Sequence, residues 1–176
     1  MGKGNNNITS KILREEAIKM LNERDVQLED IAEVAYQLQV KYAPNLTLEE
    51  CMYNLNKVLE KREVLHAILV GYAMDTLAEK KLLPYPLQEL VETDEPLFGI
   101  DETLVFGMVN IYGSIGMTSF GYVDKAKTGI IADLDSNEDR VNTFMDDIVG
   151  GLAAATSSRI AHRLRNKEEA EVEENN

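Results

Sequence analysis

A chain of 176 residues with 44% hydrophobic content can bury the core of one domain and is too apolar for wholesale disorder. Its 31 acidic against 18 basic residues leave a net charge of −13, which excludes general nucleic-acid binding and opposes attraction to anionic lipid surfaces. The single cysteine, Cys51, excludes a disulfide framework and a multi-cysteine zinc site. The first ten residues hold no apolar run of a secretory signal, so the expected compartment is cytoplasmic.

Residues 1–7 are expected to be a disordered lead. Ile12, Ala17, Met20 and Leu21 then recur at helical spacing from Ser10 to Glu23. Leu28, Ile31, Ala35, Leu38 and Tyr42 form a second stripe, which Pro44 ends. Thr47 with Glu50 is a capping box that opens a third helix at Leu48. Its pattern runs toward Leu82, with a break expected near Gly71. Pro84 and Pro86 stop that run, and a short helix follows from Leu87 to Thr93.

Leu104 to Val123 has no charged residue over 20 positions, the length of a membrane span. Its four glycines, with Asn110, Ser114, Thr118 and Ser119, favour a buried helix at the centre of a bundle. After an acidic loop, Asp133 to Asp139, a last long helix covers Val141 to Arg159. Residues 166–176, with one Lys and five Glu, are expected to be a solvated, disordered acidic tail. The pattern predicts an all-α, single-domain bundle of about six helices over residues 8–165, one apolar central helix being surrounded by the others.

Asp146 and Asp147 open the last helix on a side otherwise made of small residues. Two ionised carboxylates there cost several kcal/mol unless paired or metal-bound; alternatively, they are first-turn acids with Thr143 as N-cap. Asp101 and Glu102 open the uncharged helix and have the same two readings. Asp124 closes it, where the helix dipole disfavours an acid, beside Lys125 and Lys127. These three places converge only through tertiary packing. Hard oxygen ligands suit Mg²⁺ or Mn²⁺, and a nearby lysine suits a phosphate, so together they point to metal-assisted phosphoryl chemistry.

Other candidates are weaker. Asp133, Asp135, Asn137 and Asp139 begin like a calcium loop, but Glu138 and Phe144 stand where glycine and glutamate are needed. His66 reads as a packed or capping histidine, His162 as a solvated one, and Cys51 as core. Asp75 follows an apolar run and is a candidate for facing inward.

The second half resembles the phosphatidylglycerophosphatase A family over residues 99–162. Asp101-Glu102 is similar to the family's Asp-Glu motif. Asp124 and Lys127 are similar to its Asp-x-x-Lys-Pro element, with Thr128 in the proline position. Asp146-Asp147 with Ile148, Val149, Gly150 and Gly151 resembles its Asp-Asp-hydrophobic-hydrophobic-Ala-Gly element. The resemblance implies Mg²⁺-dependent removal of the terminal phosphate from phosphatidylglycerophosphate. It makes Asp101, Glu102, Asp146 and Asp147 metal ligands. Asp124 becomes a further ligand or orients the attacking water, and Lys127 neutralises phosphate oxygens. A soluble phosphate ester is the rival substrate, with at most peripheral membrane contact. The alternatives are a non-enzymatic helical oligomer or partner-binding protein, and an all-helical nucleotide pyrophosphohydrolase. The apolar helices also allow a homo-oligomer.

Overall fold

A computed structural model describes residues 8–174; the expected lead over 1–7 and the last two residues of the tail lie outside the described residues. Among those described, all regular structure is helical, and the all-α, single-domain architecture stands.

The first four helices are α1 (Ser10–Glu23), α2 (Leu28–Gln39), α3 (Leu48–Val58) and α4 (Arg62–Glu79). Thr9 starts α1 by accepting a bond from the Ile12 amide, and the Thr47–Glu50 capping box at α3 is present in both directions. The long third helix of the sequence pattern is two helices that part at residues 59–61. Gly71, where a break was expected, lies within α4 for a different reason. A Cβ there would collide with Ile148 and lie 3.0 Å from Phe144 Cβ, so the glycine admits the close approach of another helix.

After α5 (Leu87–Glu92) come α6 (Ile100–Val109), a 3₁₀ turn (Asn110–Tyr112) and α7 (Gly113–Ala126). The uncharged stretch is therefore a hairpin instead of one helix. Gly113 turns the chain at φ 72°, and α7 folds back along α6, setting the Phe106 and Phe120 rings edge to face at 5.3 Å. Nor is the hairpin the buried centre: in its most apolar window only 28% of residues are buried. Glycine and small polar residues weaken the inward stripe, and one side is left facing out.

The central role falls to α9 (Met145–Glu174), reached after α8 (Ile130–Asp135). Residues 145–158 are buried throughout, and α9 packs against α2, α3, α4, α6, α7 and α8. Gly151 lets α6 approach, since a Cβ there would collide with Val105 and Met108. The start expected at Val141 is delayed to Met145. The tail expected to be disordered instead continues α9 to Glu174. Its exposed side chains include the Arg165–Glu169 pair at 2.8 Å, of the spacing that supports a solvated helix.

Candidate metal centre

Three helix ends meet at one end of α9. The first residues of α6 bring Asp101 and Glu102, the last turn of α7 brings Asp124 and Lys127, and the first turn of α9 brings Asp146 and Asp147. All six line one cavity of about 180 Å³, together with Asp94, Glu95, Pro96 and Thr143. Larger hollows of about 650 and 820 Å³ lie elsewhere, and neither brings two carboxylates together. The expected residues thus converge, although they are spread over 46 positions of the chain (147 − 101).

The start of α9 is fixed from α4. Asp75, fully buried, accepts from the amides of Phe144 (3.1 Å) and Met145 (2.9 Å). These are two of the donors that a helix N-terminus leaves without a partner. Thr143, the expected N-cap, instead donates its hydroxyl to Val91 O at 2.6 Å. The buried guanidinium of Arg24 ties the preceding loop to α4. It donates to Val141 O (2.8 Å), Asn142 Oδ1 (3.2 Å), Thr76 Oγ1 (3.1 Å) and Glu79 Oε1 (2.6 Å). Asp75 is the candidate that turned inward. His66 is exposed rather than packed, and His162 is exposed. Cys51 is core, and burial pushes its thiol up to about 11.

Lys127 is the cation inside this set. Its Nζ lies 2.6 Å from Asp146, 3.1 Å from Asp124, 3.6 Å from Asp135 and 3.7 Å from Asp147. It reaches them from a left-handed residue, φ 40°, that ends α7 and aims the side chain back across the helix end. Burial works against its charge, but the carboxylates, Asp146 foremost, outweigh that and hold its pKa above the ordinary lysine value. One lysine does not satisfy every acid. Asp146 is pushed up to about 6 by burial, against the pull of Lys127. Burial, then Glu102, lifts Asp101 to about 7. Burial, then Asp146, lifts Asp147 to about 9.

Asp101, Glu102 and Asp147 each offer one oxygen within 4.8 Å of the others. Glu102 Oε2 is buried with no hydrogen-bond partner. A buried acceptor without a donor, beside two buried carboxyl groups, is an arrangement that a small hard cation satisfies. These residues fit a divalent cation. Asp146 stands apart: it is held by Lys127, and its Oδ1 accepts from the Asp147 amide at 2.7 Å, so it acts partly as the local cap that the alternative reading gave it.

Sequence reasoning missed Asp75's role as a cap, Arg24, and the Asp94–Pro96 rim. Asp75 carried a signal, being the one acid between Val64 and Thr76; Arg24 and the rim carried none.

A model of the family described as Phosphatidylglycerophosphatase A matches residues 28–162, extending the resemblance back to α2. The uncharacterized protein YpjQ of Bacillus subtilis is 59% identical over 155 residues, 88% of each chain. Its crystal structure superposes with a TM-score of 0.87 at 57% identity, covering 90% of this chain and 99% of that one. The structure of low temperature requirement C protein from Listeria monocytogenes gives a TM-score of 0.86 at 47% identity, covering 89% and 99%.

Proposed function

The chain belongs to the phosphatidylglycerophosphatase A family, and from that premise we propose that it is a divalent-metal-dependent phosphomonoester hydrolase. Its substrate is phosphatidylglycerophosphate, its cation Mg²⁺ or Mn²⁺, and its products phosphatidylglycerol and phosphate. The observation that carries the reading is the trio of carboxylate oxygens from Asp101, Glu102 and Asp147 within 4.8 Å of one another, beside a lysine already inside the site.

In this reading Asp101, Glu102 and Asp147 would hold the cation, with Asp146 beside them held by Lys127. Bound there, a divalent ion lowers the cost of negative charge on the phosphoryl oxygens and the pKa of a coordinated water. Lys127 holds a phosphate oxygen, a role suited to an ammonium that its neighbours keep charged. Asp124, 3.1 Å from the lysine, orients the attacking water and accepts its proton, which passes to the leaving glycerol oxygen as its bond to phosphorus breaks. The small polar cavity suits the phosphate end of the lipid, the rest remaining outside at the bilayer surface. Capping alone does not account for the cluster, because Asp75 already takes the Phe144 and Met145 amides.

The test is titration calorimetry with Mg²⁺ and Mn²⁺ on the wild type and Asp147→Asn. Phosphate release is then measured from phosphatidylglycerophosphate, from a soluble phosphomonoester and from nucleotides. Binding that is lost in the variant, with turnover of the lipid, is the expected result. Equal metal affinity in both proteins sinks the metal site; turnover of only the soluble ester or nucleotide sinks the lipid substrate.

A further inference from the structure

The α6–α7 hairpin presents an outward face that is open among the described residues, and its Ile115, Thr118 and Tyr122 also wall the hollow of about 650 Å³ shared with Lys41 and Arg165. Two rows of small residues run along it at the same spacing, Thr103 and Gly107 on α6 continued by Asn110 in the 3₁₀ turn, and Ser114, Thr118 and Gly121 on α7; all six are exposed. Bulky side chains rise beside the rows, with Phe106, Ile111, Ile115, Met117 and Tyr122 between 37% and 65% exposed. Between Thr103 and Tyr122 no residue carries charge, in a chain where 28% of residues do.

The glycines decide what covers this face. Glycine in a helix interior weakens the helix relative to alanine, so it is kept where a Cβ would obstruct something. At Gly71 and Gly151 the obstruction is inside the chain. At Gly107 and Gly121 an added Cβ meets nothing within 4 Å among the described residues beyond its own helix turn, so the described packing gives no reason for either. Close approach of an outside backbone does. Small residues recurring four and then three apart, with bulky neighbours, are the groove and ridge of a helix pair. Lipid does not require glycine. A hairpin with Asn110, Ser114 and Thr118 outward and no lysine or arginine of its own between Thr103 and Tyr122, on a chain of charge −13, is poorly matched to an anionic bilayer. Two copies of so acidic a chain repel one another over most of their surface, and this uncharged face is where they meet without that cost.

We propose that the α6–α7 hairpin is a self-association surface. A second copy of this chain packs its own hairpin there about a two-fold axis, the rows through Gly107 and Gly121 forming the seam. The proposal is independent of the phosphatase reading.

The test uses the full chain in sedimentation velocity over a concentration series, with Gly107→Glu and Gly121→Glu alongside. Because neither position has a neighbour to displace among the described residues, both variants are expected to keep the fold, which their helical circular dichroism verifies. The expected result is a wild-type dimer whose dissociation constant rises at least tenfold in each variant. Thr118→Cys should cross-link into a covalent dimer under mild oxidation, Cys51 being fully buried and unable to do so. A wild type that stays monomeric up to its solubility limit overturns the proposal. So does a dimer indifferent to both glutamates. Vesicles of phosphatidylglycerol and phosphatidylcholine give the third arm: a monomer that sediments with them, and whose folded glutamate variants do not, shows the face to be a lipid surface and overturns it too.

Discussion

Lys127 is asked to neutralise more charge than it carries. Four carboxylates lie within 4 Å of its ammonium, and two of them, Asp146 and Asp147, are each 4% exposed. Removing the lysine leaves buried like charges with no counter-ion, the situation that makes a broken buried pair so costly. Lys127→Met is therefore expected to abolish phosphate release and to lower stability at pH 8 by about 2–3 kcal/mol, short of the fully buried case because water reaches the ammonium. At pH 5 the penalty shrinks as the carboxyls take up protons; a urea titration at the two pH values checks this, and an equal loss at both contradicts it. Asp147→Asn has the opposite sign in metal-free protein. It removes a carboxyl whose burial disfavours its charged form, so the variant is expected to melt higher in EDTA while binding no metal. At this scale the sequence was informative. Asp146 and Asp147 were visible as acids among small residues, and Asp124 as an acid at the wrong end of a helix. That Lys127 serves several of them at once depends on its left-handed backbone, which a lysine does not advertise.

At the scale of elements, the site is as good as the placement of the α9 N-terminus, and a residue on another helix sets that. Asp75 binds the Met145 amide across 70 positions of sequence, just before Asp146. Asp75→Ala leaves two buried amides without acceptors and is expected to cost about 2–4 kcal/mol. It should also weaken Mg²⁺ binding at least tenfold, although Asp75 is outside the trio that would hold the ion. Asp75→Asn, which keeps one acceptor oxygen, should recover part of both losses. Calorimetry of the two variants tests it; full Mg²⁺ affinity in a destabilised Asp75→Ala would make Asp75 a plain cap. Local signals located α1, α2, the start of α3 and α5, because caps and prolines act over three or four residues; the break between α3 and α4, expected near Gly71, falls at residues 59–61. They failed at the hairpin. An uncharged run of 20 residues states that water is not its partner, but not whether another helix of the same chain is. The turn at Gly113 and the outward face were settled by packing against α9, which the run does not encode.

The whole molecule feels the site through protons. Asp101, Asp146 and Asp147 have folded-state pKa values raised to about 7, 6 and 9, against about 4 for an unfolded carboxyl. Burial raises Asp75 as well. The folded state therefore binds more protons than the unfolded one over this range, and stability falls as pH rises. The contribution is complete below about pH 4 and is lost progressively as each folded pKa is passed, up to about pH 9. Lys127 does not alter this trend. Its pKa is raised, so its contribution is constant below the unfolded lysine value and is lost only above it. Glu60 and Glu92, lowered by exposed lysine partners, act in the opposite sense, but only near the ordinary carboxyl range. Growing net charge adds to the decline. On the proposed reading, a cation bound by the ionised trio would reverse it, because metal and protons compete for the same oxygens. In EDTA the melting temperature is thus expected to fall by several degrees from pH 5.5 to pH 8.5. Mg²⁺ at constant ionic strength should raise it more at pH 8.5 than at pH 5.5, and Asp147→Asn should lose most of that difference. Thermal melts under the four conditions decide the matter: a melting temperature that climbs with pH in EDTA, or a Mg²⁺ effect of equal size at both pH values, would mean that the buried carboxyls do not couple this fold to the proposed cation.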